Sequence, residues 1–123
     1  MPKNPFRHKM CIVVRVDLGM STGKMIAQAC HAAVGASELA KKENHKAWRN
    51  WRDEGAKKVA LEAESLEELE ALAEKAHELD VTYLLIHDAG HTEVAPGTTT
   101  VLGLGPDLSD KLDKVTGSLP LIK

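Results

Sequence analysis

Four side chains in this sequence have types suited to acid–base and oxyanion chemistry: Lys24, His31, Asp88 and Thr92. An ammonium, an imidazole, a carboxylate and a hydroxyl gathered around a helix N-terminus can activate a water and hold a developing oxyanion or a phosphate. Lys24 and His31 share the stretch from Ser21 to Gly35, which opens with residues that suit a helix start. At about 100° per residue, Lys24, Gln28, His31 and Gly35 fall within about 60° of one another, and Ile26, Ala29, Ala33, Ala36 and Ala40 gather opposite. The expectation is a helix with a core face and, opposite it, a polar stripe ending at an open glycine. A helix with a polar face and one solvated histidine is equally ordinary, so the stripe carries weight only if distant residues converge on it.

Convergence depends on the elements that position these residues. An apolar run at Met10 to Val16 reads as a first strand, feeding a long helix at Gly23 to Glu43 and a second at His45 to Asp53. Trp48 and Trp51, three apart, share a face of that second helix, which indicates core packing. A second strand follows at Lys58 to Ala63. Ser65-Leu-Glu-Glu68 is then a capping box for a helix with Leu66, Leu69, Leu72, Ala73, Ala76 and Leu79 on one stripe. Val81 to Ile86 is nearly continuous in apolar residues, as expected of a central strand covered on both faces. Pro96-Gly97 signals a turn, Thr98 to Leu104 a strand, and Asp107 to Lys114 a short helix. This alternation implies an α/β fold: a single three-layer domain with a mixed, largely parallel sheet of about four strands and helices on both faces. Right-handed crossovers place the ends of the first and third strands on one edge, where ligands of such sheets bind. There the loop before Lys24 and the Asp88 to Thr92 loop emerge side by side.

The chain has 123 residues, a formal net charge of −2, 43% hydrophobic and 28% charged residues, which suits one domain over 1–123, with residues 1–8 a flexible N-terminal segment. The apolar run after the basic start breaks at Arg15 and Asp17, and no run approaches a membrane span, so a cytoplasmic protein is expected. Cys11 and Cys30 read as reduced packing residues. The charge is uneven: Leu61 to Asp80 holds eight acids against Lys75, leaving 15 bases against 10 acids elsewhere, with Lys41, Lys42, Lys46, Arg49, Arg52, Lys57 and Lys58 close in sequence. One basic side permits a phosphate-rich partner, although charge runs are more often solvated faces.

Competing motifs fail on their mechanics. Gly19 to Lys24 is one residue short of a Walker loop, and Met25 stands where a magnesium-binding hydroxyl is required. His87, Asp88 and His91 lack a recognised ligand framework, so no metal is expected. Cys30 and His31 point about 100° apart, too far for a nucleophile–base pair.

The run Gly-Lys-Met-Ile-Ala-Gln-Ala-Cys-His-Ala-Ala, then Asp-Ala-Gly-His-Thr-Glu, Pro-Gly-Thr-Thr-Thr-Val-Leu-Gly-Leu-Gly-Pro and the closing Asp113-Lys-Val-Thr-Gly-Ser-Leu resemble, in order and over nearly the whole chain, the second, archaeal and eukaryotic-type class of peptidyl-tRNA hydrolases. The resemblance implies a single α/β domain, usually a homodimer, that cleaves the ester between a peptide and the 3′-terminal ribose of tRNA without metal or organic cofactor. It implicates Lys24, His31, Asp88 and Thr92 in catalysis, with the base either Asp88 or His31, and Thr22, Gln28, His91 and Thr98 in substrate contact. The family commonly has Gly-Lys-Gly-Lys at Ser21-Thr22-Gly23-Lys24, and Arg and Gln at His91 and Glu93. Both departures lower the positive charge beside the site. Replacing Lys24 or Asp88 is expected to change turnover while leaving folding little affected. The rival reading is a non-catalytic RNA-binding or partner-binding module using the same basic surface.

Overall fold

The computed structural model describes residues 7–89 and 93–123. The order is β1 (His8–Arg15), α1 (Thr22–Glu43), α2 (His45–Asp53), β2 (Lys58–Ala63), α3 (Leu66–Glu78), β3 (Tyr83–His87), β4 (Thr99–Leu108) and α4 (Ser109–Thr116). The first three helices begin where side chains satisfy the first free amides, Ser21 accepting from the Lys24 amide, Asn44 from Ala47 and Ser65 from Glu68, whereas α4 starts after Leu108 with no side-chain cap. Glu68 reaches back as expected but accepts the Glu64 amide, one residue before the cap, in place of the Ser65 amide of a regular capping box. The stretch expected to be flexible at 1–8 gives way to the sheet at its last residue, because His8 is buried and bonded through both its amide and its ring to Glu54.

The four strands form one mixed sheet in the order β2-β1-β4-β3. Only β1 and β2 are parallel; β4 runs against both β1 and β3. Among the described residues no helix separates β3 from β4, so the chain returns antiparallel, and a parallel pairing would have needed a crossover. The sheet is therefore less parallel than expected. Because β4 opposes both neighbours, β1 and β3 still point the same way and end at one edge. The run expected to be central is instead the edge strand β3, and Tyr83, Leu84, Leu85 and Ile86 are half-buried. Their apolarity reflects helices packed on both faces, which a strand needs at the edge as much as in the middle.

Each sheet face has its own core. Cys11, Val13, Leu61, Leu102 and Leu104 pack under α3 and α4 against Leu69, Ala73, Leu112 and Val115. Met10, Ile12, Val14 and Val101 pack on the other side against Ala32, Ala36 and Trp51 of α1 and α2. Trp51 is the core tryptophan, donating its indole N–H to the Lys57 carbonyl at 2.8 Å, whereas Trp48 is half-buried. Cys11 is a buried packing thiol, but Cys30 is exposed on α1.

The faces of α1 differ from expectation. Its buried stripe is Gln28, Ala32, Ala36 and Ala40, while Ile26 and Val34 are exposed. The small residues let the helix lie close to the sheet: a Cβ on Gly103 of β4 would come within 3.0 Å of the Ala32 carbonyl oxygen. Gly35 is likewise a contact, because a side chain there would strike Leu84 of β3. Close approach to a sheet, rather than side-chain size, selects the inner face of this helix, and that turns Lys24 and Gln28 inward.

Candidate active site

The site lies where β1 and β3 end and α1 begins. Ser21 sits in extended backbone before the helix, and its hydroxyl accepts the Lys24 amide at 3.2 Å. This cap sets the first turn, from which the Lys24 side chain runs inward to the edge of the sheet. There its ammonium donates to Oδ1 of Asp88, the first residue after β3. The lysine side chain is only 12% exposed and the aspartate side chain 3%, so this is an ion pair largely removed from water. Such a pair is held by geometry, since either partner alone would be a stranded charge.

The backbone around Asp88 is fastened too. Its N–H donates to the Thr98 carbonyl at 2.8 Å, and the Gly97 N–H donates to its carbonyl at 2.9 Å, closing the base of the β3–β4 loop. Gly97 has φ of +83°, which a glycine adopts without a steric cost. A second clamp joins this loop to α1: Glu93 accepts from the Ser21 N–H and hydroxyl, each at 2.6 Å. Those two bonds, the hydroxyl one foremost, hold the Glu93 carboxyl below the usual carboxylate range. A carboxylate here also favours the positive end of the helix dipole. Arg15, at the end of β1, donates to the Thr99 carbonyl at 3.0 Å and pairs with Asp17 at 2.6 Å.

Of the residues anticipated from sequence, Lys24 and Asp88 are brought together. His31 is exposed, about 10 Å further along the helix axis than Lys24, and has no hydrogen-bond partner among the described residues. Gln28, expected to meet substrate, is instead buried against the sheet and donates to the Thr100 hydroxyl at 2.8 Å. It holds α1 on β4. Thr22 is exposed in the first turn, and Thr98 is half-buried with its hydroxyl donating to the Ala95 carbonyl. Thr92 and His91 lie outside the described residues. The His87 ring nitrogen is 2.9 Å from the Thr99 hydroxyl.

Reading the sequence missed Glu93 as a structural partner of the cap and Arg15 as an anchor of β4. The first had a visible signal in its difference from the usual glutamine. The second had none, because its partner is a backbone carbonyl 84 residues away.

Fold and site together define an α/β protein with a buried ammonium–carboxylate pair at a helix N-terminus. The model of the family described as peptidyl-tRNA hydrolase PTH2 matches residues 8–122. The chain belongs to that family. It is 44% identical over 114 residues to a peptidyl-tRNA hydrolase of Methanothermobacter thermautotrophicus, covering 93% of this chain and 99% of that one. A peptidyl-tRNA hydrolase of Methanopyrus kandleri is 46% identical over 116 residues, covering 94% and 99%. A probable peptidyl-tRNA hydrolase 2 of Dictyostelium discoideum is 46% identical over 113 residues, but these make up only 54% of its length. Among solved structures, a protein of unknown function from Agrobacterium tumefaciens shares the fold, with a TM-score of 0.58 at 12% identity over 96% of this chain and 99% of that one.

Proposed function

We propose that this chain hydrolyses the ester between the peptide and the 3′-terminal ribose of peptidyl-tRNA, releasing free peptide and reusable tRNA. The observation that carries this reading is the buried Lys24–Asp88 pair at the start of α1, in a chain of this family. Asp88 orients a water and takes its proton as the water oxygen bonds to the ester carbonyl carbon. Lys24, already aimed by Asp88, meets the negative charge that gathers on the carbonyl oxygen, with the Thr92 hydroxyl as a second donor. Collapse of the tetrahedral intermediate breaks the bond to the ribose oxygen, and the proton goes to that oxygen. Asp88 is favoured over His31 as base because His31 lies two helical turns from the pair. His31 is left to meet the 3′ end of the RNA, with Thr22, Thr98 and His91 as its further contacts. Gln28 acts as a positioning residue through Thr100.

The scheme uses no metal or organic cofactor. No helix of the described residues is long and apolar enough to cross a membrane. We place the protein in the cytoplasm, where its substrate arises, and expect a homodimer as in the family. The test is turnover of purified peptidyl-tRNA. The expected result is release of peptide with intact tRNA; binding of the RNA without release would replace this reading with a non-catalytic RNA-binding module.

A further inference from the structure

The uneven charge of the sequence becomes, in the fold, a difference between the two sides of the sheet. Helix α3, with Glu67, Glu68, Glu70, Glu74 and Glu78, packs on one face beside α4. The end of α1 and all of α2, with Lys41, Lys42, Lys46, Arg49 and Arg52, lie on the other. The sheet separates most of the two, and they meet at the β3 edge, where Glu43 and Asn44 line one cavity with His77 and Asp80. On the basic side, Glu43 accepts a hydrogen bond from Thr82, Asp53 pairs with Arg49, Glu54 is bonded to His8, and Glu38 is exposed one turn before Lys41 and Lys42. Among the described residues, Lys41, Lys42, Lys46 and Arg52 form no ion pair.

Two observations separate this patch from an ordinary solvated face. Lys46 stands in the first turn of α2, which contains no acid, so its charge opposes the helix dipole and folding does not call for it; it lies about 160° round the helix from Trp48, beside Arg7 and Asn50. Lys41 and Arg52 both lie over the Trp48 ring, 5.0 and 5.5 Å from its centroid, which gathers cations from two helices onto one surface. Between that surface and the site, the outer side of α1 presents His31, Val34 and Glu38, all exposed. Lys42 falls on the same side of α1 as His31, and 18 residues of helix put it about 27 Å from Lys24.

We infer that the cations on both flanks of α2 and at the end of α1, Lys41, Lys42, Lys46 and Arg52, seat the phosphodiester backbone of the tRNA duplex arm while the single-stranded 3′ end runs along α1 past His31 to the Lys24–Asp88 pair. This rests on the hydrolase reading for the choice of tRNA. It adds where the RNA lies and which cations hold it. The contact is with phosphates, so it carries affinity without sequence preference.

The test measures the affinity of deacylated tRNA by fluorescence anisotropy between about 50 and 200 mM salt for the wild type, the double variant Lys42→Ala/Lys46→Ala, and Lys75→Ala on α3 as a control. Each phosphate contact contributes about 0.7 to 0.9 to the slope of log affinity against log salt, and at about 0.1 M salt a factor of about five to eight. The double variant should lose about 1.4 to 1.8 of slope, and its Kd at about 0.1 M should rise about 25-fold to 60-fold. Its Tm should not fall, and Lys75→Ala should match the wild type. A double variant with the wild-type slope and Kd, or a control that loses as much, overturns the assignment. Turnover run in parallel separates the two readings. Binding that weakens in the double variant, with no peptide released by the wild type, sinks the hydrolase and leaves the surface; wild-type turnover with an unchanged KM in the variant sinks the surface alone.

Discussion

Lys24→Met tests the pair on which the site depends. The substitution keeps the aliphatic stem and removes the ammonium from an aspartate whose side chain is 3% exposed. Breaking a buried ion pair by removing one partner costs about 3–5 kcal/mol, because the remaining charge stays buried. The lysine end is 12% exposed, so some water reaches the gap and the lower end of that range applies. A loss of about 3 kcal/mol corresponds to roughly 10 °C in Tm for a domain of this size. This corrects the expectation from sequence that replacing Lys24 leaves folding little affected, since that reading put the lysine on the open face of α1. Adding Asp88→Asn to the variant removes the stranded charge and should restore most of the lost stability, giving a coupling of 2 kcal/mol or so between the sites. Urea unfolding of the wild type, both single variants and the double variant measures that cycle. Turnover should fall about a hundredfold or more in every variant, because the ammonium meets charge that appears only in the transition state. Additive stabilities, with Lys24→Met as stable as wild type, would refute the argument that the pair is buried and mutually dependent.

Three further outcomes follow from the same geometry. Asp88→Asn should abolish turnover while keeping the Kd for deacylated tRNA, and chelators should leave wild-type turnover unchanged; activity lost on chelation and restored by a divalent ion would defeat the metal-free scheme. Gly103→Ala should cost about 1–3 kcal/mol, read as a lower urea midpoint at constant m, because its Cβ meets the Ala32 carbonyl 3.0 Å away and α1 must lift from the sheet. The Ser21–Glu93 clamp should loosen in acid: the Ser21 bonds depress the Glu93 pKa, so the clamp's contribution is present above the carboxyl's ordinary pKa and is lost as pH falls through the depressed one. Faster exchange of the Ser21 amide in Glu93→Gln at neutral pH checks it, and exchange equal to wild type would show that the carboxylate does not protect that amide.

Local features were legible because their causes are local. Ser21 and Ser65 cap helices through bonds spanning three residues, and the bounds expected for α2 and β2 match those of the structure, whereas the antiparallel return of β4 along β3 was not anticipated. Lys24 and Asp88 stood out by residue type, and their meeting followed from strand order. Three features needed the assembled sheet. Which face of α1 points inward was decided by Gly103 and Gly35, whose missing side chains admit the helix at close range, so the polar Gln28 went in and Ile26 and Val34 stayed out. Periodicity ranks faces by hydrophobicity and carries no information about that clearance. The edge position of β3 was decided by β4, which is long enough to pair with both β1 and β3 along its length. That Lys24 and not His31 meets the carboxylate was decided by the sheet edge that holds Asp88: two residues close in angle on a helix remain two turns apart along it, so only one of them can reach that edge.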